Sequence, residues 1–133
     1  MNPVEDSIVI SVPPKAEFLG LVRSFAGGVA ATLRLSVDDI DDLRLALDEA
    51  FSFLVALDAN ASSAVLSLLP TEHELIVTVA LDAEVSPWPP VATEETLAWK
   101  VMSALVDRVA FERSAEGSPA IVIVKRTLGD TVA

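Results

Sequence analysis

The titratable side chains of this 133-residue chain are mostly carboxylates: 20 Asp and Glu stand beside nine Lys and Arg, one histidine and no cysteine. The lack of thiols excludes disulfides, thiolate metal sites and cysteine nucleophiles. His73 lies in a predicted turn without a second histidine or a spaced carboxylate pair, which argues against a metal site and a Ser-His-Asp triad. The chain also has no Gly-x-x-x-x-Gly-Lys phosphate loop. Because carboxylate pairs arise by chance in so acidic a sequence, their spacing assigns no reaction.

Charge and hydrophobicity narrow the class of protein. Nine Lys and Arg against 20 Asp and Glu give a net charge of −11, which repels phosphates and argues against direct nucleic-acid binding. With 52% hydrophobic residues, the chain is predicted to form one domain over 1–133, with its core at about 7–128. The N-terminus lacks the pattern of a secretory signal, and no continuous apolar run of 18 residues occurs. We therefore expect a cytoplasmic protein that has no membrane segment.

Apolar residues at gaps of three and four predict three helices, over 15–33, from 36 to about 56, and from 93–96 to about 106. Ser36 followed by Asp39 is typical of a helix N-cap and its partner. The acidic residues within 38–42 suit the positive end of the helix dipole, and binding of a basic partner is the alternative use for them.

Short β-branched runs predict five strands, over 7–12, 63–69, 74–81, 108–113 and 120–127. A loop over 82–92 with three prolines precedes the third helix, and the residues 129–133 are predicted to form a frayed tail. The resulting order is β-α-α-β-β-loop-α-β-β. It predicts an α+β fold, a two-layer α/β sandwich whose mostly antiparallel sheet carries three helices on one face.

Two neighbouring segments carry a family resemblance. Residues 14–23 read PKAEFLGLVR, and residues 40–50 read IDDLRLALDEA. Together they resemble the RsbW-type anti-sigma factors, small serine-protein kinases with the GHKL (Bergerat, histidine-kinase-like) ATPase fold. The predicted element order is similar to that fold over about 8–128. The third helix, LAWKVMSALVD at 97–107, is similar to that of actinobacterial members whose ATP motifs are degenerate.

The resemblance implies a role for Glu49. This residue matches the glutamate of the family's first ATP motif, the catalytic base that activates the attacking hydroxyl or water. Four residues later, where active members carry an asparagine that coordinates magnesium, this chain has Phe53. A phenyl ring offers no oxygen to a hard cation, so the resemblance implies that the metal ligand is lost. A solvated helix carboxylate, paired with an arginine nearby, is the alternative explanation of Glu49.

The other two ATP motifs of the family are also altered. The second, Asp-x-Gly-x-Gly, corresponds to DAEVS at 82–86, where Asp82 could still accept a hydrogen bond from an adenine amino group. The third, Gly-x-Gly, corresponds to TLA at 96–98. Without these glycines no loop lets the backbone approach a phosphate closely. We therefore expect no cofactor, with ATP and magnesium bound only if the motifs work despite these changes.

The resemblance also implies partners. Family members bind an alternative, stress-response sigma factor until a STAS-domain anti-anti-sigma factor releases it. Arg23 matches an arginine that contacts both partners, and an ordinary surface arginine is the alternative. A homodimer through the first helix is implied as well, where Gly27 and Gly28 would permit close packing. The expected function is sequestration of a sigma factor, with two alternatives: an active kinase that phosphorylates the STAS protein, or an adaptor that binds STAS proteins only.

The two tryptophans lead to different expectations. Trp99, on the third predicted helix, is expected to pack into the core. Trp88 lies in the proline-rich loop, and the sequence leaves open whether it is an exposed interface anchor or a core residue.

Overall fold

Residues 6–114 and 116–127 of the chain are described by a computed structural model. This part of the chain contains one antiparallel sheet with the strands β1 Ile8–Val12, β2 Ala64–Pro70, β3 Glu74–Leu81, β4 Arg108–Arg113 and β5 Pro119–Arg126. The strands lie in the order β1-β2-β3-β5-β4, so β1 and β4 form the two edges.

Three α-helices accompany the sheet in the described ranges: α1 Leu19–Thr32, α2 Val37–Ala56 and α3 Leu97–Leu105. The predicted α+β class and the predicted order of elements are confirmed. Both α1 and α3 begin later than predicted, because single turns of 3-10 helix at Ala16–Phe18 and Thr93–Glu95 precede them. The predicted tail at 129–133 lies outside the described residues.

The central helix of the helical layer is α2. It contacts α1 on one side and α3 on the other, and it packs on β3 and β5. Its fully buried side chains recur at helical spacing, at Leu43, Ala46, Leu47, Ala50, Phe51 and Leu54. Along β2 and β3 every second residue is buried against this layer. The core therefore lies between the helices and one face of the sheet.

The first turn of α2 is fixed by two kinds of contact. The Ser36 hydroxyl accepts a hydrogen bond from the backbone N–H of Asp39 at 3.0 Å, which confirms the predicted N-cap. Lys125 of β5, only 9% exposed, places its Nζ 3.4 Å from the Asp39 carboxylate and 3.7 Å from that of Asp42. The same Nζ donates to the carbonyl of Leu105 at 2.9 Å. Part of the acidic cluster is therefore neutralised within the chain.

The N-cap predicts a measurable loss of stability. Ser36→Ala should lower the free energy of unfolding by about 1 kcal/mol, because the N–H of Asp39 loses its acceptor. Urea denaturation measures this loss. Ser52→Ala, an exposed position within α2, is the matched control and should cost nothing. Equal stability of the two variants would contradict the prediction.

Candidate functional site

Glu49 lies in a groove between α2 and α3. The groove has a volume of about 450 Å³ and is lined by Leu45, Asp48, Glu49, Lys100, Val101, Ala104 and Leu105. Glu49 is half-buried, and it forms no ion pair with another residue in the described ranges. The arginine pair that the sequence allowed for Glu49 is instead made by its neighbour Asp48.

Phe53, one turn after Glu49, belongs to an aromatic cluster that we define as Phe53, Trp88, Trp99 and Phe111. The ring of Phe53 meets Phe111 edge-on, with 5.2 Å between centroids, and lies 6.1 Å from Trp88. Trp88 stacks on Phe111 at 5.4 Å with 15° between the planes, and Trp99 lies 6.0 Å from the same ring. These separations are typical of favourable aromatic pairs.

Trp88 holds the proline-rich loop against the sheet. Its side chain is 4% exposed, and its indole N–H donates to the carbonyl of Glu112 on edge strand β4 at 2.6 Å. Of the two roles that the sequence left open for Trp88, the core position is correct and the exposed anchor is wrong. Trp99 is half-buried and packs against the core, so its predicted core position is confirmed in part.

Arg113 at the end of β4 also holds the proline-rich loop in place. Its guanidinium donates to the carbonyl of Val85 at 3.1 Å and to the carbonyl of Gly117 at 2.7 Å. The loop is thus tied both to β4 and to the turn before β5, and it contributes Trp88 to the aromatic cluster.

Asp82 and Thr96, which match the second and third motifs, make local hydrogen bonds. The carboxylate of Asp82, directly after β3, accepts from the hydroxyl of Ser62 at 2.7 Å. The hydroxyl of Thr96 accepts from the N–H of Trp99 at 3.1 Å and donates to the carbonyl of Thr93 at 2.7 Å. Thr96 therefore acts as the N-cap of α3.

Arg23 of α1 is held by Asp48 of α2. Its Nε lies 2.7 Å from one carboxylate oxygen and its Nη2 lies 3.1 Å from the other, a two-point pair that fixes the guanidinium plane. The Arg23 side chain is still 46% exposed, and it lines a groove of about 590 Å³ between the two helices. The family resemblance points to Arg23, and nothing in the local sequence indicates Asp48 as its partner.

Arg44 of α2 places its guanidinium beside Gly27 of α1. A Cβ added to the buried Gly27 would stand 2.7 Å from the Arg44 guanidinium, so the absence of a side chain at Gly27 makes room for Arg44. A Cβ on Gly28 would meet nothing within 4 Å. Close packing at Gly27 is therefore made within the chain by Arg44, and the homodimer contact through the first helix stays a prediction.

Phe53 directs its ring into the aromatic cluster and offers no oxygen to a hard cation. Over 6–114 and 116–127, no group of three His, Asp or Glu side chains could hold a metal ion. His73 lies in the β2–β3 turn, 3.7 Å from the Glu72 carboxylate, and both side chains are largely exposed. Within the same ranges, no helix is long and apolar enough to cross a membrane.

Over 50 residues, this chain is similar to known serine-protein kinases RsbW. No protein-family model matches the chain. A serine-protein kinase RsbW of Halalkalibacterium halodurans is 40% identical over 50 residues, which are 38% of this chain and 31% of that protein. The RsbW of Bacillus licheniformis is 38% identical and that of Bacillus cereus 34% identical, both over 50 residues with the same coverage. The chain thus spans about a third of the length of these relatives, and the similarity supports an RsbW-like family.

Proposed function

We propose that this chain is an RsbW-like anti-sigma factor that works as a binding module without nucleotide chemistry. It sequesters an alternative sigma factor in the cytoplasm, and competition by a STAS-domain anti-anti-sigma factor releases it. The fold is then a GHKL-type sandwich whose kinase function has been lost. The observation that carries this proposal is the aromatic cluster: Phe53 and Trp88 pack together beside α2, where a kinase of this family would need oxygen ligands.

Phosphoryl transfer depends on a positioned metal and on groups that stabilise the transferred phosphate. This chain offers a phenyl ring at the metal-ligand position and no glycine in the runs 82–86 and 96–98. Glu49 keeps its carboxylate, but a base without a positioned phosphate has no reaction to catalyse. Phe53, which takes the place of the metal ligand, thus packs against Trp88 of the 82–92 loop instead.

The net charge supports a binding role. At −11, the chain repels nucleic acid and speeds its encounter with a protein that presents a basic face. A sigma factor, whose surface must meet DNA phosphates, has this chemistry. The expected encounter rate should fall as salt concentration rises.

Arg23 is the residue proposed to contact the partners, and Asp48 competes with them for it. The pair uses Nε and one N–H of Nη2, so a partner carboxylate either binds the remaining N–H groups of Nη1 and Nη2 or displaces Asp48. We expect Arg23→Ala to weaken sigma-factor binding about tenfold or more, the effect of roughly 1.4 kcal/mol or more. Isothermal titration with a sigma factor that the chain binds in its own cell extract measures this change.

Two further variants distinguish a direct contact of Arg23 with the partner from a general effect of positive charge. Asp48→Asn frees Arg23 and should tighten binding, whereas a purely structural Arg23–Asp48 pair predicts weaker binding in both variants. Lys15→Ala removes an exposed positive charge just before α1 and should leave the affinity unchanged. Equal losses in Arg23→Ala and Lys15→Ala would contradict the assignment of Arg23.

Affinity capture of the tagged chain from extract of its own cells, with mass spectrometry of the bound proteins, tests the proposal. Recovery of an alternative sigma factor supports sequestration. Recovery of STAS proteins alone favours the adaptor, which would use the same helical surface. Recovery of neither partner contradicts both.

A further inference from the structure

The two edges of the sheet differ in how they are protected. Edge strand β4 carries the charged residues Arg108, Glu112 and Arg113. The carbonyl of Glu112 also accepts from the indole N–H of Trp88 in the proline-rich loop. Charged side chains and covering loops are common means of keeping an edge strand from pairing with another chain. The other edge strand, β1, reads IVISV and has neither a charge nor a proline, so its outer side lacks these protections.

A groove lies between the start of β1 and α1. Its volume is about 350 Å³, within the size range of ligand pockets. Ile8, which is 42% exposed, forms the strand side, and Phe25, Gly28, Val29 and Leu33 form the helix side. Two hydroxyl side chains complete a lining that contains no charge. In a chain of net charge −11, such an uncharged lining favours an apolar occupant.

Gly28 leaves space in this groove. It is exposed within α1, and a Cβ added there would meet nothing within 4 Å in the described part of the chain. Glycine inside a helix costs about 1 kcal/mol relative to alanine. At Gly27 the missing side chain makes room for Arg44, whereas no such neighbour accounts for Gly28. The space at Gly28 therefore suits a side chain that comes from another molecule.

The backbone of β1 determines which conformation of occupant fits. An edge strand presents unpaired N–H and C=O groups along its outer side, and an extended segment pairs with them in series. A segment of about five residues would match the five-residue length of β1, roughly 17 Å. Every second side chain of this segment would point to the helical side of the sheet, where the groove lies.

Charge favours a segment of a different protein over a second copy at this groove. Two copies of a chain with net charge −11 repel each other, whereas a neutral or basic segment is not repelled. Asp6 is exposed two residues before Ile8, so a negative charge lies close to the strand side of the groove. A Lys or Arg at one end of the bound segment would meet this carboxylate.

We propose that β1 and the groove beside α1 bind an extended, apolar segment of another protein, which adds to the sheet as a further strand next to β1. Apolar side chains at alternate positions of the segment enter the groove, one of them at Gly28. The proposal goes beyond the sigma-factor function and does not rest on it, because the groove that Arg23 lines is a different one, between α1 and α2.

Selection of random short peptides displayed on phage, with the full chain as the target, tests this site. Selected peptides should carry apolar residues at alternate positions. Gly28→Leu fills the groove and should weaken their binding at least about tenfold. Ile8→Lys, which places a charge on the strand side, should do the same. Gly20→Leu is the matched control, because Gly20 has equally open space on α1 but lies outside this groove, and it should bind as the wild type does.

Two N-methylated versions of a selected peptide test the strand pairing itself. Alternate N–H groups of a strand point to opposite sides, and each version lacks one of these two sets of donors. Methylation of the set that faces β1 should abolish binding, and methylation of the other set should preserve it. Equal effects of the two versions would overturn the proposal.

Three further results would also overturn the proposal. The first is a selection that enriches no peptide. The second is enrichment of peptides that bind the folded Gly28→Leu variant as tightly as the wild-type chain. The third is a wild-type dimer in sedimentation equilibrium that dissociates in Gly28→Leu, since this would assign the groove to a second copy. Circular dichroism of each variant verifies folding.

Discussion

Replacement of Trp88 by alanine should destabilise the protein by about 3–5 kcal/mol, the range found when a large aromatic side chain leaves a core. The indole is 4% exposed, stacks on Phe111 and donates to the carbonyl of Glu112. Its removal opens a cavity beside Phe53 and leaves a backbone carbonyl without its donor. Denaturant unfolding followed by circular dichroism measures the loss.

Two related variants divide the effect of Trp88 into its parts. Trp88→Phe keeps a ring but removes the N–H donor. It should lower the free energy of unfolding by about 1–2 kcal/mol, which is less than the loss in Trp88→Ala. Trp99→Ala, at a half-buried position of the same cluster, should also cost less than Trp88→Ala. A loss below about 1 kcal/mol in Trp88→Ala would contradict the buried position of the indole.

Replacement of Phe53 by asparagine, the residue that the family resemblance implies for active members at this position, should destabilise the protein and restore no activity. The ring contacts both Trp88 and Phe111 and is half-buried. We therefore expect a loss of about 2–3 kcal/mol, below the roughly 3–5 kcal/mol of a fully buried phenylalanine, because an amide replaces packed apolar surface. Thermal unfolding measures the loss.

The matched control for this change is Phe53→Leu, which stays apolar and should lose clearly less stability than the asparagine variant. The asparagine variant should also show no binding of Mg-ATP, since the glycines of the other two motifs are still missing. Unchanged stability would contradict the packing of Phe53. Restored nucleotide binding would contradict the argument that all three motifs have failed.

Elements of the fold were predictable where local pattern determines them. The spacing of apolar residues in α2 and the N-cap at Ser36 depend on residues close together in sequence. The β-branched strands are bounded by turns and prolines. The sequence predicts a start of α3 that is too early, because Thr93–Glu95 form a 3-10 turn and Thr96 is the N-cap. Acidic residues before a helix suit either arrangement.

The candidate site was predictable in its residues but not in its contacts. The family resemblance selected Arg23, Glu49 and Phe53, yet the partners of these side chains lie far away in sequence. Asp48 is 25 residues from Arg23, and Glu112 is 24 residues from Trp88. Such pairings depend on how the elements pack, and no periodicity in the sequence encodes them. The role of Lys125 at the start of α2 was missed for the same reason.

Isothermal titration of the wild-type chain with Mg-ATP measures whether the chain binds a nucleotide although Phe53 packs in the aromatic cluster. We expect no saturable heat of binding up to millimolar nucleotide, and no phosphate transfer to a STAS protein added afterwards. Tight, saturable binding followed by phosphorylation of the STAS protein would contradict it and identify an active kinase.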